Sequence, residues 1–115
     1  MKIKYKSFSN DYGGGIKLFY YLSALDITDL DYNLSGKSEL LGALYSDRFS
    51  KVHYPVPDEV ITSTSYPSDY ELKNLLKYRN FKTTVVFDSW TNFDIRLLRK
   101  DLKFYPKNII VFDSA

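Results

Sequence analysis

The sequence predicts a single α+β domain, a ferredoxin-like sandwich built from two βαβ-type halves. Three features lead there. Short alternating or β-branched segments recur at residues 2–8, 51–64, 81–88 and 109–112, each of strand length. Two helical patterns, at 37–49 and 92–104, fall one in each half. Between the halves, residues 65–80 are polar and aromatic and read as a projecting arm, with a helix as the other possibility. At 115 residues the chain is one domain with a core large enough to fold alone.

Taken in order, Lys2, Lys4 and Lys6 alternate with Ile3 and Tyr5, which describes a half-buried strand with its lysines on one face. Residues 9–15 (Ser-Asn-Asp-Tyr-Gly-Gly-Gly) read as a loop by composition, and 16–25 is apolar and ambiguous between strand and helix. Residues 26–35 carry turn formers and three Asp. The 37–49 helix has Ser35 as its cap, Glu39 in its first turn and Leu40, Leu41 and Leu44 on one face. Pro55 and Pro57 hold the next segment extended, and residues 60–64 are β-branched. In the 92–104 helix, Ile95, Leu98 and Leu102 share the buried stripe, with Arg96, Arg99, Lys100 and Lys103 largely opposite.

Composition narrows the class. Hydrophobic residues at 44% and charged residues at 26% mark a globular chain, and the absence of cysteine excludes a disulfide framework and a cysteine zinc site. A net charge of +2 is a weak pull on polyanions. The 11 tyrosines read first as coding bias and as core or half-buried strand residues, although tyrosine also stacks on bases. The start already reads as a strand, so no targeting segment is expected. The 16–25 run is too short to span a bilayer and contains Lys17 and Ser23, so no membrane partner is expected either.

No constellation reads as a catalytic centre. Gly36-Lys37-Ser38 is half of a phosphate-binding loop, but Asp31 stands where the full motif needs its first glycine. Asp88 and Asp113 both end strands. In the expected sheet their strands are separated by the first one, roughly 10 Å apart, too far to share an ion. His53 is the lone histidine, with no partner fixed by spacing. Glu71-Leu72-Lys73 resembles the tail of a nuclease motif without an acidic strand before it. Basic residues interleaved with tyrosine are more suggestive of RNA, since phosphate contact plus base stacking requires that mixture. The candidates are Lys2, Lys4, Lys6, Tyr66, Tyr70, Lys73, Lys77, Tyr78, Arg79, Lys82, Arg96, Arg99, Lys100 and Lys103. A solvated surface is the plain alternative for each of them.

Five segments together resemble one family. Ile3-Lys4-Tyr5-Lys6-Ser7-Phe8, His53-Tyr54-Pro55-Val56-Pro57, the 81–88 strand, the 94–102 helix and Asn108-Ile109-Ile110-Val111 stand in the order and near the intervals of small-subunit ribosomal protein S-ten, also called NusE. The chain departs from that family in about twenty extra residues within 9–36, which look inserted. It also has Tyr66-Pro67-Ser68-Asp69 where the family arm starts with Ser-Pro-His.

The resemblance implies four antiparallel strands and two helices, with the first strand pairing with both of the last two and a long arm between the second and third. It implies a structural, non-enzymatic role in the head of the small ribosomal subunit. The expected partners are ribosomal RNA and neighbouring head proteins, with no cofactor, no metal and no small-molecule substrate. Divergence and AT-rich composition point to a mitochondrial ribosome with an organelle-encoded gene, the cytoplasm being the alternative. Two other functions fit the residues: a small viral or mobile-element inhibitor of a host protein, and a metal-dependent nuclease using Asp88 and Asp113.

Overall fold

The computed structural model describes residues 2–66, 68–87, 97 and 103–112. Six strands form one sheet: β1 (Tyr5–Ser9), β2 (Asp29–Leu34), β3 (Ser50–Lys51), β4 (Glu59–Thr62), β5 (Lys82–Phe87) and β6 (Asn108–Val111). Their order across the sheet is β3-β2-β1-β4-β5-β6, and every neighbouring pair is parallel. Helices α1 (Tyr12–Ser23) and α2 (Leu40–Leu44), the latter entered through a 3₁₀ turn at Gly36–Glu39, belong to the β1-to-β3 half. Helix α3 (Tyr70–Lys77) connects β4 to β5.

This overturns the ferredoxin-like, four-stranded antiparallel expectation. Strand β5 lies directly against β6, with Phe87 opposite Val111, instead of being parted from it by β1. Residues 9–36 supply α1 and β2, the latter paired to β1 along Lys6–Asp31 to Ser9–Leu34. Residues 65–80 are no free arm, because α3 buries Leu72 and Leu75 against Val85 and Phe87. The expected 37–49 helix shrinks to the 3₁₀ turn and α2. The 51–64 strand region splits into the two-residue β3 and β4, joined by an extended crossover. The expected 92–104 helix lies mostly outside the described residues; Leu97 is helical and buried, and Phe104 is buried.

The sheet is covered on both faces. On one, Leu18, Phe19 and Leu22 of α1 and Leu41 of α2 pack with Tyr5, Leu30, Tyr32, Ile61 and Val86. On the other, Phe8, Val60 and Tyr78 form one cluster, and Leu72, Leu75, Val85, Phe87, Leu97 and Phe104 form the next. Parallel strands are stable in this setting because both faces are dry. Every residue of β1 is consequently buried, Lys6 included.

Lys6 is tolerated because Asp31, opposite it on β2, sits 3.0 Å from its ammonium. Asp31 is 2 % exposed and also accepts from the Tyr54 amide at 2.8 Å and from Asn33 Nδ2. Lys6 donates to the Tyr54 carbonyl at 3.2 Å and lies over the Tyr78 ring. The pair thus anchors the crossover from β3 to β4.

Candidate ligand crevice at the carboxyl edge of the sheet

From β1 the chain winds outward to β3, then crosses back to β4 and winds the other way to β6. The segments that leave β1 and β4 therefore diverge, and the carboxyl edge between them is the topological switch point of a doubly wound sheet.

On the β1 side, Asp11 caps α1: its backbone is extended, and its Oδ2 accepts from the Gly14 amide at 3.0 Å. The glycines that follow are needed for close approach. A Cβ on Gly14 would stand 3.1 Å from the Thr64 carbonyl oxygen, and one on Gly15 would stand 2.9 Å from Ser9 Oγ and 2.4 Å from Leu41 Cδ1. The helix start is thereby drawn onto the ends of β1 and β4.

On the β4 side, Ser63 and Ser65 face Glu71 of α3. Glu71 is 2 % exposed and accepts three hydrogen bonds. They come from the Asn10 amide at 2.9 Å, Ser63 Oγ at 2.9 Å and Ser65 Oγ at 2.6 Å. The hydroxyls of Ser63 and Ser9 meet at 2.7 Å. Ser38 closes the β2 side, donating toward the Ser9 and Ser35 carbonyls at 2.6 Å and accepting from the Ser35 amide. A clamp of side chains from four segments thus stitches the ends of β2, β1 and β4 together at this edge.

The chemistry of this edge is hydroxyl, amide and carboxylate. Among the described residues neither Asp11 nor Glu71 makes an ion pair. Burial, and next the Glu71 charge, raise the pKa of the neighbouring Tyr70 phenol, so it stays neutral. Asp11 and Gly13 are exposed at the rim, and Asn10 and Tyr12 are half-buried. The amides that open a helix have no acceptor within it, so this edge also offers donors. Among the described residues no three His, Asp or Glu side chains come together in a way that could hold a metal ion.

Where the structure describes them, most of the residues expected to contact RNA have partners within the protein. Lys6 is buried in its pair with Asp31, and Tyr78 is a core residue whose ring lies tilted against those of Phe8 and Phe81. Tyr70 packs edge-on against Phe8. Lys2 pairs with Asp29, Lys73 with Asp69 and Lys82 with Glu59. Lys77 lies over the Tyr78 ring, and Arg79 donates to the Leu76 carbonyl. Lys4, Tyr66 and Lys103 are exposed. Arg96, Arg99 and Lys100 lie outside the described residues, as do Asp88 and Asp113.

The half-motif at Gly36–Ser38 is a latch, since Ser38 turns inward. The His53 side chain is 80 % exposed, with Nδ1 3.7 Å from Asp31. Sequence reasoning passed over Ser9, Asn10, Asp11, Ser63, Ser65 and the role of Glu71. The usable signals were an Asp three residues before Gly14 as a cap, and a Ser/Thr run directly after a β-branched strand.

Compared with known proteins, the chain matches no family model, no curated protein and no solved structure at a significant level.

Proposed function

We propose that this chain is a ligand-binding domain whose ligand is a small, hydroxyl-rich molecule, of the saccharide or nucleoside class, seated at the carboxyl edge between β1 and β4. The observation that carries the reading is the strand order β3-β2-β1-β4-β5-β6 with its switch point at that edge. In open parallel sheets such crevices are where ligands bind.

The side chains favour hydroxyls over phosphate. The turn after β1 reads Asn10-Asp11-Tyr12-Gly13-Gly14-Gly15, not the spaced-glycine fingerprint that cradles a pyrophosphate. The Asp11 carboxylate already occupies the helix start, so a phosphate there has to displace it, whereas a ligand hydroxyl can donate to it. The opening amides of α1 pair with hydroxyl and carbonyl oxygens.

The ribosomal reading rests on the five segments that resemble the S-ten family, and the four antiparallel strands which that resemblance implies are not the sheet of this chain. Co-sedimentation with small ribosomal subunits is its separate test.

The ligand reading is tested by isothermal titration of the protein with nucleosides, sugar nucleotides and free saccharides, with inorganic phosphate as competitor. A saturable ligand that phosphate does not displace is expected. Gly13→Val, at an exposed rim position, should abolish that binding while leaving the melting temperature near that of the parent. Displacement by millimolar phosphate, or binding unchanged in Gly13→Val, would overturn the assignment.

A further inference from the structure

A second site lies at the opposite, amino edge of the sheet. There the first residues of β1, β4, β5 and β6 and the end of α1 enclose a cleft of about 290 Å³. Tyr5, Tyr21, Leu25 and Ile110 form its apolar walls, and Glu59 and Lys82 its charges. Glu59 is 7 % exposed, accepts from Thr84 Oγ1 at 2.7 Å and pairs with Lys82 Nζ at 3.4 Å. A carboxylate offers about four acceptor positions, and among the described residues Thr84 and Lys82 fill two of those of Glu59. The two partners of the ion pair are unequal: the Lys82 side chain is 58 % exposed and that of Glu59 only 9 %.

That asymmetry sets the chemistry of an occupant. The Lys82 ammonium itself loses little on swinging out, because it is already largely in water. Stripping Glu59 of its cation costs much more, because the carboxylate stays buried. Whatever displaces Lys82 must therefore bring a positive charge of its own. The tyrosine rings and aliphatic walls call for an apolar body, and rings of this kind also attract ammonium groups.

We infer that this cleft is a binding site for a small organic cation, a primary amine on an aromatic or aliphatic body, whose ammonium replaces that of Lys82 on Glu59. The inference is independent of the crevice at the carboxyl edge.

The test is an NMR titration of the full chain with phenethylamine, with 2-phenylethanol and phenylacetate as neutral and anionic controls. The amine should give saturable shifts at the amides of Tyr21, Leu25, Glu59, Lys82 and Thr84, and the controls should not. Glu59→Gln should weaken binding about tenfold or more, the loss of roughly one charged contact. Lys82→Met, which removes the competing cation, should tighten it about two- to fivefold. Equal binding of the alcohol, no saturable shift, or an affinity that Lys82→Met leaves unchanged or lowers would overturn the assignment. Lys82→Met keeps the test decisive even if Glu59→Gln does not fold.

Discussion

Replacing Glu71 by Ala should cost about 3 kcal/mol of folding stability. The carboxylate accepts from the Asn10 amide, Ser63 and Ser65 in a site 2 % exposed. Without it the Ser63 hydroxyl can turn to Ser9 Oγ, already 2.7 Å away, and the half-buried Ser65 can reach water. The Asn10 amide is then the principal orphan, at about 1–3 kcal/mol, with a further term of about 1 kcal/mol for the space vacated.

Glu71→Gln keeps an acceptor for Asn10 and offers Ser65 a donor. It should lose only the charge-assisted part, about 1 kcal/mol. Urea unfolding followed by circular dichroism reads both values. A thermal melt should show a drop of about 10 °C for the alanine variant. An alanine variant within about 0.5 kcal/mol of the parent, or a glutamine variant as damaged as the alanine one, would refute the clamp.

Three further outcomes are expected. Gly15→Ala should destabilise by about 1–2 kcal/mol in urea despite the better helix propensity of alanine, because its Cβ would stand 2.9 Å from Ser9 Oγ and 2.4 Å from Leu41 Cδ1; a stabilised variant would contradict the close approach. Lys6→Met should cost about 3–5 kcal/mol by leaving Asp31 buried without its cation, and adding Asp31→Asn should recover part of that; a single variant within about 1 kcal/mol of the parent would show that the pair holds little.

The third is alkaline unfolding. Burial first, and then the charges of Glu59 or Glu71, raise the phenols of Tyr5, Tyr21 and Tyr70. Burial alone would lower the Lys6 ammonium, but its hydrogen bonds to Asp31 and Tyr78 carry it above the usual value. All four groups hold their protons longer folded than unfolded. Their contribution is complete below about pH 10 and lost as pH rises beyond it, so a urea midpoint that these groups leave flat from pH 7 to 9 should fall from about pH 10. A midpoint unchanged to pH 11 would contradict it.

The positions of β1, β4, β5 and β6 were legible and their pairing was not. The alternation at 2–8, 81–88 and 109–112 marks β1, β5 and β6, yet a period of two says nothing about which strand lies beside which. Three glycines lower helix propensity by about 1 kcal/mol each, so the start of α1 read as a loop; what Gly14 and Gly15 provide, close contact with Thr64, Ser9 and Leu41, is visible only in three dimensions.

Asp31 hid β2 in the same way. A buried aspartate in a central strand makes sense only beside Lys6, and the lysine alternation at the start of the chain read as a solvent face for that reason. The helix α3 was masked by polar neighbours around Leu72 and Leu75. The candidate crevice was the least legible feature, since its clamp joins Asn10 to a glutamate 61 residues away.

The central claim, a ligand crevice where β1 and β4 part, is tested most directly by mapping amide shifts in the ¹⁵N-labelled protein titrated in parallel with its tightest saccharide or nucleoside ligand and with single-stranded RNA. The small ligand should move the amides of residues 10–15 and 63–65, and RNA none of them. Small-ligand shifts confined elsewhere, or RNA shifts centred on Lys2, Lys4, Lys73, Lys77, Arg79 and Lys82, would contradict it.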